Sequence, residues 1–249
     1  MEKFKNNNEE VSQRLPDKEA QELIAEKIDV SEIEKKLEGK APFSGTVETL
    51  ARLVVELGDK IPKYDTIISD DASARLVSLL MRKIINIKKE EAGEKPVETY
   101  FIAGGRHDDN PEVYEYINKF IESKKDNLKN TLLVTEYIYF GEGMLNLVRI
   151  LEQNKIKFDI AAVSTQVTPR IYDRRISKHL YYGEAGGREA ENLKGPDNFY
   201  NKENISGVKK VNAAPDIIHP VVYLDADKEK MKEARNDIDF LAGEFAKLV

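Results

Sequence analysis

The chain has 249 residues, 41% hydrophobic and 34% charged, enough apolar material for a full core beneath a highly charged surface. Its formal charge of −6 argues against broad electrostatic binding to nucleic acid or to an anionic membrane. There is no cysteine, so disulfides and thiolate chemistry are excluded; with no apolar run of about 18 residues and no apolar N-terminal leader, the expectation is a soluble, cytoplasmic protein.

Residues 1–16 are polar and end in Leu15-Pro16, a loose lead-in. Ala20, Leu23, Ile24 and Ile28 recur at helical spacing and predict a helix over 18–28; Ser31 with Glu34 forms a capping-box start to a second. Thr46 opens a third, with Val47, Leu50, Ala51, Val54 and Leu57 on one face and Gly58 as its stop. Residues 1–58 therefore read as a helical extension that caps the core or packs against a partner chain, which leaves a homodimer open.

An alternation of strand and helix fills 59–249. Residues 64–68 predict the first strand and 73–87 its helix, with the turn Ser69-Asp70-Asp71-Ala72-Ser73-Ala74-Arg75 between them. Asp and Ser are common helix-start residues, and acids are favourable at that positive end. A strand over 97–102 runs into Gly104-Gly105-Arg106-His107, at the strand end where ligands of α/β sheets collect. Arg106 is suited to steering an anion and His107 to acid–base work. Asn110 as cap and Pro111 as first residue start the next helix.

The most informative stretch is 131–154. Leu132-Leu133-Val134 is apolar and β-prone enough for a strand buried on both faces. Thr135-Glu136-Tyr137-Ile138-Tyr139-Phe140 follows, then Gly141, Glu142 and Gly143, then Met144, Leu147, Val148 and Leu151 at helical spacing. Strand, acidic turn, glycine loop and helix in that order present free backbone N–H groups and a positive helix end to an anion. The same order also serves as a plain joint between strand and helix.

This order of parts resembles the ribosyl-diphosphate loop of the type I phosphoribosyltransferases, where an apolar strand leads into two acids, a short turn with a central glycine, and a helix. Glu136 stands at the second acidic position and Thr135 at the first, while Tyr139, Phe140, Gly141, Glu142 and Gly143 stand where the phosphate loop runs. The chain departs from the pattern in having threonine for the first acid, no hydroxyl residues in the loop, and the Glu142 carboxylate within it. The resemblance spans about residues 60–182 and implies a three-layer α/β fold, its sheet mostly parallel with helices on both faces. It implies that Glu136, with Thr135 beside it, holds the ribose and the loop amides hold the 5′-phosphate. Ser69, Asp70, Asp71, Ser73 and Arg75 would then bind the diphosphate, with Mg²⁺ on Asp70 and Asp71. The implied ligand is a phosphorylated sugar or nucleotide, and the implied reaction transfers ribose 5-phosphate from 5-phosphoribosyl 1-diphosphate to a nitrogenous base. Thr135 and Glu142 keep open a non-catalytic nucleotide-binding or regulatory module on the same fold. A looser alternative is a receiver-like or phosphatase-like domain using Asp70 and Asp71.

Residues 158–163 predict a further strand, followed by Gln166 and Arg170, which the resemblance would aim at the acceptor base. Arg170, Arg174, Arg175 and Lys178 form a basic run, either a solvated face or a phosphate receiver. Residues 180–182 predict a short strand, and 183–219, with five glycines, a long loop that is either a hood over the acceptor or a surface excursion. A last strand over 221–224 and a helix over 225–249 close the chain. His107, His179 and His219 are far apart and have no Cys partner, which argues against zinc.

Overall fold

A computed structural model describes residues 14–37, 43, 45–70, 74–102, 110–138, 141–165, 173–185, 218 and 227–249. Three helices come first, Asp17–Lys27 (α1), Val30–Lys36 (α2) and Val47–Leu57 (α3). Then follow Thr66–Asp70 (β1), Arg75–Glu91 (α4), Glu98–Ile102 (β2), Pro111–Lys124 (α5), Asn130–Ile138 (β3) and Glu142–Gln153 (α6). Lys157–Thr165 (β4), Arg174–Ser177 (α7), Leu180–Ala185 (β5) and Lys228–Phe245 (α8) complete the described strands and α-helices.

The strands form one sheet in the order β2-β1-β3-β4-β5, and every pairing is parallel. A sheet buried on both faces needs strands that are apolar on both sides, and the continuous run Leu132-Leu133-Val134 in β3 has no solvent exposure. Ile67, Leu132, Val134, Ala161 and Val163 point into a core shared with α1, α3, α4 and α8. Ile68, Leu133, Ile160 and Ala162 point the other way, towards α5 and α6. This is a three-layer α/β architecture.

Right-handed crossovers dictate how the layers fill. The step from β1 to β2 carries α4 over one face; the steps from β2 to β3 and β3 to β4 run in the opposite direction and carry α5 and α6 over the other. The first face is thereby left open above β4 and β5, and α3 covers it, while α8 packs beside α4. The close approach of α3 depends on Gly183 in β5, where a Cβ would lie 2.2 Å from the Thr49 carbonyl oxygen.

Several boundaries move from their sequence positions for local reasons. The cap of α2 is Asp29, whose carboxylate accepts from the Glu32 N–H at 3.0 Å, rather than Ser31. A 3-10 turn over Gly58–Lys63 uses up the chain before β1, so that strand begins at Thr66 instead of residue 64. β5 continues through Gly183 to Ala185, three residues into the stretch read as a loop from 183, and pairs there with Ser164 and Thr165. Asn110 caps α5 as its sequence predicts, accepting from the Glu112 N–H at 3.0 Å. Within the basic run, Arg175 grips Asp173 at 2.6 Å and Lys178 pairs with Glu152 at 3.1 Å. The rest of the predicted long loop apart from Ile218, and the predicted strand over 221–224, lie outside the described residues.

Candidate functional site

In a doubly wound sheet of order 2-1-3-4-5, the crevice for ligands opens beyond the C-terminal ends of β1 and β3, where the direction of winding reverses. β1 ends there in Asp70. The β1–β3 register pairs Ser69 with Val134, so the next residues along, Asp70 and Thr135, are opposite each other. The Thr135 hydroxyl donates to Asp70 Oδ2 at 3.2 Å. Both side chains leave the sheet on the face of Ile68 and Leu133, by strand alternation.

The same alternation separates the two residues that the sequence pairs. Glu136 points to the opposite face from Thr135, towards the α3 and α4 layer, and is 5% exposed. Ser69 shares that face; it is wholly buried, and its hydroxyl has no hydrogen-bond partner among the described residues. Of the predicted binding residues, Asp70 and Thr135 are thus in contact, whereas Glu136 and Ser69 lie behind the sheet. Arg75 is the first residue of α4, half-buried, with its guanidinium 4.2 Å from the Phe101 ring centre at the end of β2. Burial, with the positive charge of Arg235 second, holds its pKa below the ordinary arginine value.

Gly141 adopts φ +82° at the head of α6, a left-handed conformation that glycine tolerates and most side chains resist. Its carbonyl accepts from the Met144 N–H at 3.1 Å, which closes the first turn. Glu142 and Gly143 begin the helix, and backbone N–H groups at that end have no partner within it. Asp71, Ser73, Arg106, Tyr139 and Phe140, together with His107, Gln166 and Arg170, lie outside the described residues.

No group of three or more metal-ligating side chains converges among the described residues. Asp70 nevertheless fits the chemistry of Mg²⁺, which takes one or two carboxylates and fills its remaining positions with water and substrate phosphate. One residue near the crevice escapes a motif-based reading. Tyr137 lies two positions beyond Thr135 on the same face and is 44% exposed; the period-2 pattern would have flagged it.

Among the described residues, hollows also lie away from this crevice, and two of them are lined by charged side chains from the sheet ends. One, of about 800 Å³, runs between α1, α3 and the end of β5, past Arg14, Glu48, Arg52 and Tyr182. The other, of about 240 Å³, lies at the N-terminal end of the sheet beside Lys60, Lys157 and His179. Next to it, the Tyr64 hydroxyl donates to Asp159 at 2.9 Å while Lys60 bonds both Asp159 and Tyr181, which ties the 3-10 turn to β4 and β5. Burial first, then the Asp159 charge, pushes the Tyr64 pKa well above its ordinary value, so this centre is a neutral phenol in a structural network.

No protein-family model matches the chain, and no curated protein matches it as a relative. No helix among the described residues is long and apolar enough to cross a membrane.

Proposed function

We propose that the crevice between β1 and β3 binds 5-phosphoribosyl 1-diphosphate or a nucleotide, on a sheet of the type I phosphoribosyltransferase kind. The observation that carries this reading is the Thr135–Asp70 hydrogen bond at the point where the winding reverses. It joins the ends of two strands whose following turns have, separately, the composition expected for a diphosphate site and for a ribose-phosphate loop.

In the transfer reaction the bond from the sugar to the diphosphate breaks through a cation-like ribose, so the protein's work is placement and charge stabilisation. The first-turn amides of α6 would hold the 5′-phosphate, with Gly141 setting their approach. Thr135 would fix the orientation of the Asp70 carboxylate, and Arg75 would supply positive charge to the leaving diphosphate. Mg²⁺, when bound, would be held by Asp70 and would offset the charge of the diphosphate oxygens. Ribose 5-phosphate would pass to a nitrogenous base with release of pyrophosphate.

Incubating the protein with the diphosphate donor, Mg²⁺ and a panel of nucleobases should release pyrophosphate. Calorimetry with the donor should show binding that Asp70→Asn weakens about tenfold or more, the scale of a lost charge-assisted contact. No binding of donor or nucleotide would end the proposal. A second reading, a module that binds without turnover, is favoured by one observation: a threonine hydroxyl, bonded to Asp70, occupies the position of the first acid. Saturable binding with no pyrophosphate release would decide for it.

A further inference from the structure

The hollow of about 240 Å³ at the N-terminal end of the sheet is built from the 3-10 turn before β1, the first residues of β3 and β4, and His179 just ahead of β5. Asn130 pairs with Lys157 across the two strands, and Thr131 with Phe158. Successive residues of a strand point to opposite faces, yet all four line the hollow. It therefore passes beneath the strand ends and draws side chains from both sides of the sheet. On one side the His179 ring packs on Phe158 at a centroid distance of 4.5 Å. On the other, Tyr64 and Lys60 hold Asp159.

Two features of this hollow have no use within the fold. One is the Thr131 hydroxyl: the residue is wholly buried, and its Oγ1 has no hydrogen-bond partner among the described residues. Thr66, its register neighbour on β1, is equally buried and donates to the Asn127 carbonyl at 2.7 Å, so the fold does satisfy a hydroxyl at this depth. A buried hydroxyl without a partner is costly and rare. The second feature is an excess of cations. Lys60, Lys63 and Lys157 line the hollow against the one carboxylate of Asp159, on a chain whose net charge is −6. Lys60 pairs with Asp159 at 3.3 Å and Lys63 with the exposed Asp59 at 2.7 Å, while Lys157 makes no ion pair among the described residues. The Tyr64 hydroxyl and the Lys60 ammonium cover the Asp159 carboxylate, which offsets its repulsion of an anion. Size and donors then select the ligand. The hollow is smaller than the roughly 300–1,000 Å³ that drug-sized molecules occupy. Donors arriving from both sides of the sheet suit a tetrahedral oxyanion, whose acceptor oxygens point in several directions, better than a planar carboxylate.

We propose that this hollow binds a phosphate group, as the free anion or at the end of a small ester, with Lys60, Lys63 and Lys157 offsetting its charge and the Thr131 hydroxyl donating to one of its oxygens. The site is separate from the crevice at the other end of the sheet, since Thr131 and Thr135 are about 13 Å apart along β3 at roughly 3.3 Å per residue. It does not depend on what the crevice binds.

The test is to titrate inorganic phosphate into the full chain at constant ionic strength, with chloride as the balancing anion, and to follow the His179 ring signals by NMR, assigned with His179→Gln. Wild type should show a saturable shift. Thr131→Val should weaken the binding about tenfold, and Lys157→Gln, at an exposed position, about threefold or more. Lys119→Gln, which removes an exposed lysine from α5 that does not line the hollow, should leave the affinity unchanged. Thr131→Val should also raise the ligand-free melting temperature, because it removes an unpartnered buried hydroxyl. No saturable shift, wild-type affinity in either Thr131→Val or Lys157→Gln, equal weakening in Lys119→Gln, or a lowered ligand-free melting temperature in Thr131→Val would overturn the site. Asp70→Asn should leave the His179 shift intact; its loss there would mean a signal relayed from the crevice and would also overturn the site. A parallel titration with glycerol 3-phosphate identifies the source: tighter binding than phosphate assigns the site to an ester, weaker binding to the free anion.

Discussion

Gly183 shows how one missing methyl group sets the spacing between two layers. A Cβ there would lie 2.2 Å from the Thr49 carbonyl oxygen and 2.8 Å from that of Val163, both backbone atoms that cannot rotate aside. Gly183→Ala should therefore cost about 1–3 kcal/mol through overpacking, lowering the melting temperature by roughly 2–4 °C per kcal/mol in a chain of this size. Gly243, exposed in α8 with nothing within 4 Å of an added Cβ, has the opposite expectation. Gly243→Ala should gain about 0.5–1 kcal/mol by restricting the unfolded chain. Thermal melts of the two variants should move in opposite directions, and movement in the same direction would refute the spacing argument.

His179 adds a pH dependence of definite sign. Burial first, then the neighbouring Lys178 charge, holds its pKa below the ordinary value of about 6.5. Between those two values the unfolded chain takes up a proton that the folded chain refuses. Stability from this group is therefore full above about pH 6.5 and falls as the pH drops from there towards the lower folded value. Urea midpoints at pH 7.5 and pH 5.5 should differ more in wild type than in His179→Gln; equal differences would remove His179 as the cause.

At the level of elements, α3 is legible in its boundaries and misleading in its faces. Helical spacing identifies the buried Val47, Leu50, Val54 and Leu57, and it leaves Arg52 and Glu56 as an ordinary i,i+4 pair on the solvent side. The structure buries both side chains, at 7% and 4% exposure, because the segment before α1 folds over them. Arg52 donates to Glu56 at 2.8 Å and to the Asp17 carbonyl at 3.2 Å, and Glu56 accepts from the Leu15 N–H at 3.3 Å. Glu56→Ala would strand the buried guanidinium and should cost about 3 kcal/mol, whereas the double change Arg52→Leu with Glu56→Leu should cost less than the sum of the single losses. Additive losses in chemical denaturation would show that the pair is not coupled. β3 and α6 were readable for a different reason. An apolar run followed by a glycine in the left-handed region is a local signal, and local signals survive in sequence. Asp70 and Thr135 could each be singled out alone, but their contact could not be read. It arises because the chain leaves β2 and crosses back over β1 to lay β3 on its far side, a pairing of residues far apart in the chain. Alternation along β3 likewise turned Glu136 away from Thr135, the residue it had been paired with.

For the whole molecule, the question is whether the strand–helix repeat from residue 59 onward can stand without the helices before it. Winding handedness leaves one face over β4 and β5 without a helix of its own, and α3 fills that space with Val47, Leu50, Leu53, Val54 and Leu57, each at most 1% exposed. Burying side chains of this kind stabilises by about 1.5–3 kcal/mol each, so the five together amount to roughly 10 kcal/mol. That is comparable with the entire net stability of a domain, about 5–15 kcal/mol. A fragment of residues 59–249 should therefore lose cooperative melting and bind a hydrophobic dye such as ANS while keeping much of its far-UV signal. The binding crevice would be lost with it, since the core on which Ile67, Val134 and Val163 sit is the one α3 closes. Adding residues 1–58 as a separate peptide should restore cooperative melting and suppress the dye signal, because the missing contribution is a packed face and not a covalent link. A fragment that melts cooperatively alone and excludes the dye would show that the sheet needs no covering helix there, and that the first 58 residues serve some other purpose.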